Sequence, residues 1–252
     1  PDKDHDRFPR RWTLDRRPAN NTRNQRSSPE LDGILTSLHT ERSRVWEVGV
    51  PRGHAHIPGH AKPFCTEVRV QKMLDQEFER IGKRLFLEGL VGANFGNMSV
   101  RAKAGLYITR SGAYLDAREM PAFVPEDGEA PPEASSEYLV HRAVYRETPY
   151  LAIVHAHPVH AVAASLDADL LRPVDSEGRM LCPEIPVVGG EPGTGEIAQN
   201  VSRALRGSHI VIVRGHGTFA AGKTLDEAYI YTSIAEYSCR ILLLSGRSGR
   251  VL

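Results

Sequence analysis

The stretch Leu151-Ala-Ile-Val-His-Ala-His-Pro158 constrains this chain more than any other. Its opening run of apolar β-formers predicts a buried strand. Successive side chains on a strand alternate faces, so His155 and His157 point the same way. Two imidazoles on one face of a rigid strand make half of a metal site. Pro158 stops the strand at once and leaves the pair at its carboxyl end, where open α/β sheets carry their ligand crevices. The bland alternative is a polar pair satisfied at a strand end, and residues further along the chain weigh against it.

His216 is the first of these. Ser208-His-Ile-Val-Ile-Val213 predicts a second buried strand, and Arg214-Gly215-His216-Gly217 follows its carboxyl end. The flanking glycines let other groups come close. Three neutral imidazoles with an open coordination position are the pattern of a catalytic rather than a structural zinc site. A carboxylate, Glu137, follows Ser135-Ser136 at a predicted helix start, with a serine as N-cap and the acid in the first turn. Complementing the helix dipole is its bland reading; a base beside a metal is the functional one. Three small polar turns, Gly96-Asn97, Ser111-Gly112 and Ser135-Ser136, are suited to share a phosphate. His160 falls on a short apolar helix after Pro158 and reads as packing.

Around these motifs the periodicity predicts a helix over 66–88, with Val70, Met73, Leu74, Phe78, Ile81, Leu85 and Phe86 on one face and Gly89 as its stop. Short strands follow at 98–101, 106–109 and 122–124, then a helix to about Arg146 and another over 159–166. Next come a strand at 185–188, a helix over 196–205 and a long helix from Thr224. Its inner face is expected to hold Leu225, Ala228, Ile230, Ile234, Tyr237, Ile241 and Leu242. Alternating strands and helices imply one layered α/β domain, and this pattern leans towards a parallel sheet.

Composition excludes little. The chain has 252 residues, 40% hydrophobic and 25% charged, as ordinary globular proteins do, and a net charge of +1 singles out no polyanionic partner. No apolar run reaches the roughly 18 residues needed to cross a bilayer, and no signal-peptide pattern opens the sequence. Cys65, Cys182 and Cys239 are odd in number and far apart, which suits free thiols in a reducing cytoplasm. From Pro1 to Lys62 there are 12 Lys/Arg against 8 Asp/Glu, net +4, with little periodicity. That segment reads as a basic, poorly structured arm with a short helix near 31–38, and residues 63–252 as the catalytic domain. Acids interleave with its bases, so it makes a weak nucleic-acid tail. His54, His56 and His60 lie among Gly53, Pro58 and Gly59 with no rigid element to hold a metal.

The motifs Gly96-Asn97-Met98-Ser99, Ile108-Thr109-Arg110-Ser111-Gly112, Ser135-Ser136-Glu137, His155-Ala156-His157-Pro158 and Gly215-His216-Gly217 follow one another with suitable spacing. In that order the chain, over about 67–244, resembles the class II aldolase/adducin family, specifically its L-fuculose-1-phosphate-aldolase-like members. The resemblance implies a three-layer α/β/α fold with a central, mainly antiparallel sheet, replacing the parallel lean. It also implies a homotetramer whose active sites are completed by neighbouring subunits. It implies one Zn2+ per chain on His155, His157 and His216, Glu137 as acid/base, and substrate phosphate at Gly96, Asn97, Ser111, Gly112, Ser135 and Ser136. The implied reaction is reversible cleavage of a ketose 1-phosphate to dihydroxyacetone phosphate and an aldehyde. The tyrosine proton donor that family aldolases often take from a neighbour has no counterpart here, because no tyrosine follows Tyr237. A sugar-phosphate epimerase or a thio-sugar-phosphate dehydratase would use the same site, although family epimerases tend to carry Asp where this chain has Glu137. A non-catalytic, adducin-like scaffold would lack the three histidines.

Overall fold

A computed structural model describes residues 63–247. The basic segment 1–62, with its expected helix near 31–38 and His54, His56 and His60, lies outside the described residues. In chain order the elements are α1 (Pro63–Leu87), β1 (Asn97–Ala102), β2 (Gly105–Ile108), β3 (Ala122–Pro125), α2 (Tyr138–Glu147), β4 (Ala152–Ala156), α3 (Val159–Ser165), β5 (Leu170–Leu171), α4 (Ser176–Leu181), β6 (Ile185–Val188), α5 (Gly195–Leu205), β7 (Ile210–Val213), β8 (Gly217–Gly222) and α6 (Leu225–Leu244).

The strands form one sheet in the order β3-β2-β1-β4-β8-β7-β6-β5. Only β6 and β7 run parallel, and every other neighbouring pair is antiparallel. The lean towards a parallel sheet is therefore wrong. Alternation of strands and helices along the chain fixes layering but not strand direction, and here β8 returns by a tight hairpin from β7 to lie between β7 and β4. That central strand escapes a sequence reading because Gly217-Thr-Phe-Ala-Ala-Gly222 is mostly small residues with low strand preference.

Helices cover both faces, which gives three layers. Side chains alternate across the sheet as the two-residue period requires. Ile153, Val211, Val213, Phe219 and Ala221 pack under α2 and α5 with Val140, Val144, Ile197, Val201 and Leu205. Ala152, Val154 and Ala156 face the opposite way, against Leu74, Phe78, Ile81 and Leu85 of α1. On that side α3 and α6 pack on Ile210, Ile212 and Ala220. In α1, Met73 and Phe86 stay exposed although they belong to its apolar stripe.

Helix α6 departs further from expectation. Its buried residues are Leu225, Ala228, Thr232, Ala235, Ser238, Cys239 and Leu242. Ile230 and Tyr237, expected inside, are 43% and 57% exposed. Small residues face inward because neighbours come very close: a Cβ on Gly178 of α4 would stand 2.3 Å from Ser238 Oγ. Helix α6 is apolar nearly all round, so periodicity alone cannot say which stripe is buried.

Candidate active site

Three chain segments end at one place. Asn97 opens β1 and pairs with His155 near the end of β4. His155 pairs in turn with Phe219 of β8. Val213 and Gly217 close the β7–β8 hairpin, which carries His216 at its tip. His157 lies one residue beyond β4, its backbone N–H donating to Leu90 O at 2.9 Å. The three imidazoles stand nearly edge to face, with ring centroids 4.8, 4.9 and 5.0 Å apart. One nitrogen of each lies within 4.8 Å of the others, so His155, His157 and His216 can hold a metal ion. The glycines matter as their positions suggest: a Cβ on Gly217 would sit 2.4 Å from Ala156 O and 2.9 Å from a His157 ring carbon.

The hydrogen bonds indicate which nitrogens are free. His155 Nδ1 lies 2.9 Å from Thr218 O. A carbonyl only accepts, so Nδ1 carries the proton and the neutral ring has its lone pair at Nε2. That Nε2 stands 2.9 Å from His157 Nε2 and 3.0 Å from Glu137 Oε2. His216 Nε2 is 3.7 Å from Glu137 Oε1. Electron-rich atoms thus converge on a point that only a proton or a metal ion satisfies. Burial, and then the cost of placing a second positive charge beside His155 and His216, pushes His157 down to about 4; burial also lowers His216, so both stay neutral and ready to ligate at neutral pH. Phe219 stacks on His155 at 4.1 Å and Phe95 on His157 at 5.6 Å, fixing the ring planes. Neither aromatic carries a sequence signal of its own.

Glu137 is 8% exposed. Burial raises its pKa, but the hydrogen bond and positive charge that a proton at the His155 contact supplies, with help from Asn97 and His216, outweigh that and hold it down to about 2. The expected capping geometry is corrected here. Glu137 itself occupies the N-cap position of α2 and makes no side-chain cap, while the serines precede it. Its carboxylate turns away from the helix N–H groups and towards the histidines, accepting from Asn97 Nδ2 at 2.9 Å. Helix physics alone therefore does not explain it.

Below Glu137, β1 and α2 continue in register. Asn97, Ser99 and Arg101 share one face of β1. Opposite them Glu137, His141 and Tyr145 recur every four residues. Ser99 Oγ lies 2.7 Å from both His141 Nδ1 and Tyr145 Oη. Arg101 stacks 5.1 Å over the Tyr145 ring and donates to Thr148 O at 3.0 Å. The pitches match: two strand residues advance about 6.6 Å and four helical residues about 6 Å. Asn97 Oδ1, His141 Nε2 and His216 Nδ1 are buried without a protein hydrogen-bond partner.

The three turns meet around Thr109, to which the sequence reading assigned no role. Thr109 N donates to Met98 O, Met98 N donates to Thr109 Oγ1, and Ser135 N donates to Thr109 O. An antiparallel bridge between Arg110 and Ala134 sets Thr109 opposite Ser135 and Ser111 opposite Glu133. Gly96 and Gly112 have φ of 80° and 75°, and a Cβ on Gly96 would press on His155 O at 2.6 Å. Not every group of this set is free: Ser111 N donates to Glu133 O, and one Asn97 N–H is held by Glu137. His160 stands apart, its Nδ1 2.6 Å from Glu236 Oε1.

Fold and site together define a three-layer α/β/α domain with three converging imidazoles beside a buried carboxylate. Residues 76–243 match the class II aldolase and adducin N-terminal domain family, and the chain belongs to it. It is 31% identical over 165 residues to the L-fuculose phosphate aldolase of Methanococcus maripaludis, covering 64% of this chain and 91% of that one. It is 28% identical over 191 residues to the 3-oxo-tetronate 4-phosphate decarboxylase of Escherichia coli, covering 71% and 90%. The crystal structure of L-fuculose-1-phosphate aldolase from Thermus thermophilus superposes with a TM-score of 0.67 at 41% identity, covering 72% of this chain and all of that one.

Proposed function

We propose that this protein is a zinc-dependent aldolase that reversibly cleaves a ketose 1-phosphate to dihydroxyacetone phosphate and an aldehyde. The observation that carries this reading is the convergence of His155, His157 and His216 with the Glu137 carboxylate on one point, with the His155 proton directed away to Thr218 O. Similarity to aldolases that act on L-fuculose phosphate supports the substrate class. The three histidines hold one divalent ion per chain, which when bound supplies Lewis acidity to a substrate carbonyl oxygen.

The chain's own groups do the rest. Gly96, Asn97, Ser111, Gly112, Ser135 and Ser136 bracket the substrate phosphate, with the second N–H of Asn97 and the serine hydroxyls as donors. As the C3–C4 bond breaks, its electron pair passes towards the carbonyl and the C4 hydroxyl loses its proton to water to give the aldehyde. Glu137, ionised at rest, takes up a proton from water and delivers it to C3, and in the condensation direction removes that proton. Phe95 and Phe219 keep the imidazoles from turning. The half-exposed apolar face of α6, with Ile230 and Tyr237, supports assembly into a tetramer with shared sites. Free, buried Cys182 and Cys239 suit a reducing cytoplasm, and no helix among the described residues is long and apolar enough to cross a membrane.

Similarity to a decarboxylase of a 3-oxo acid phosphate favours one second reading. Loss of CO2 next to a carbonyl leaves the same kind of electron pair as aldol cleavage, so one site serves either. A direct test incubates the zinc-loaded protein with dihydroxyacetone phosphate and a panel of aldehydes, and separately with a 3-oxo-tetronate 4-phosphate. Ketose 1-phosphate formation supports the aldolase; CO2 release without condensation supports the decarboxylase and overturns our first reading.

A further inference from the structure

At the far end of β1 from Asn97, about 13 Å along an extended strand, lies a cavity of ≈ 330 Å³. Arg101, Lys103, Arg142 and Arg146 line it, with Glu126 as the one carboxylate and Tyr145 at its floor. Arg142 and Arg146 stand one turn apart on α2, and Arg101 and Lys103 come from the end of β1 and the turn after it. Four cations against one acid is an uncompensated cluster on a chain whose net charge is only +1.

Apart from the contact of Arg146 with Asp127, its hydrogen bonds are to backbone carbonyls, which satisfy N–H groups without neutralising charge. Arg101 donates to Thr148 O, Arg142 to Gly128 O and Arg146 to Glu126 O. Of the four, only Arg146 has an ion pair among the described residues, with the exposed Asp127. Arg101 is half-buried, and burial lowers its pKa, an effect that Tyr145 and Glu126 offset only in part. The volume suits a small ligand, and paired guanidinium forks match phosphate oxygens. Tying loops to a helix explains each arginine singly. It does not explain four cations around one hollow, nor Lys103, which has no hydrogen bond or ion pair among the described residues.

We propose that this cavity is a second anion site, separate from the histidine site, that takes a small metabolite carrying a diphosphate group. Four cations against the carboxylates of Glu126 and Asp127 leave +2 around the hollow, and three guanidinium groups with one ammonium offer more donors than a single phosphate can use, which favours a diphosphate.

The test is calorimetric titration of the full-length, zinc-loaded protein with pyrophosphate and with inorganic phosphate. Pyrophosphate should bind at least tenfold more tightly. Lys103→Gln combined with Arg142→Gln should weaken pyrophosphate at least tenfold, with zinc content and melting temperature retained. The single change Lys103→Gln, at a side chain with no hydrogen bond or ion pair among the described residues, should weaken it measurably and serves if the pair fails to fold. Ser111→Ala with Ser135→Ala, at the other end of β1, should leave this binding unchanged. Pyrophosphate binding that ignores Lys103 and Arg142, or that disappears with the serines, would overturn the proposal while leaving the aldolase reading intact.

Discussion

Two glutamates in this molecule each face a histidine, and they do different work. Glu236 Oε1 lies 2.6 Å from His160 Nδ1, and Glu137 Oε2 lies 3.0 Å from His155 Nε2. The first contact is the shorter, yet it is the ordinary one. Glu236 also accepts from the backbone N–H groups of His160 and Ala161, at 3.2 and 2.9 Å, so its carboxylate caps α3. Glu137 sits at a helix start and caps nothing. Its oxygens face side chains only, among nitrogens whose lone pairs converge. What separates a structural carboxylate from a chemical one is therefore what its other oxygen and its partner's other nitrogen are doing, not the distance between them.

The strongest attempt to break this contrast is His216→Ala. Loss of groups that merely support metal ligands typically costs 10–100-fold, so loss of a ligand itself should cut aldol turnover by more than about 10⁴-fold and empty the metal site. Full metal occupancy in that variant, measured by elemental analysis, would show that the triad is not the site. Next is Glu137→Gln, expected to lower ketose 1-phosphate cleavage by about 10²–10⁴-fold with metal content unchanged. Near wild-type exchange of deuterium into dihydroxyacetone phosphate by this variant would remove Glu137 from proton transfer.

A third measurement concerns the rung below. Burial holds His141 down to about 3, against an ordinary value of 6.5. Below pH 6.5 the unfolded chain takes up a proton there that the folded chain refuses. Stability from this group is complete above pH 6.5 and falls as pH drops towards 3. Between pH 7 and 5 the native protein should lose about 2 kcal/mol more than His141→Gln, read from urea midpoints. Equal losses would mean His141 is already protonated in the fold. The smallest effect belongs to Glu236→Gln: about 1 kcal/mol of stability, as for a lost helix cap, and turnover within about threefold of wild type. A large loss of activity there would dissolve the contrast.

Sequence reasoning reaches some of this and not the rest, for physical reasons. His155, His157 and His216 are legible because an apolar strand ended by Pro158 and a glycine-flanked turn state their own geometry. The layering is legible from alternation. Strand direction, the β8 strand of small residues and the buried stripe of α6 are not, since each depends on which neighbour packs there. Thr109, Phe95 and Phe219 remain unseen as well, because their roles lie in contacts between segments distant in the chain. Glu137 falls between: its place at a helix start is readable, but the turn of its carboxylate away from that helix is a tertiary fact.

The matched spacing of β1 and α2 makes the chemistry and the fold fail together. Because a strand presents alternate residues to opposite faces, a length change before β1 that slips its register by one residue would turn Asn97, Ser99 and Arg101 as a block away from the helix and bring Met98 and Val100 in their place. Glu137 would lose its amide, His141 and Tyr145 their shared hydroxyl, and Thr148 its guanidinium in a single stroke. Such a seam tolerates substitution at one rung but no change of length, so natural variation in chain length should gather in the turns at either end and leave the six residues between them untouched.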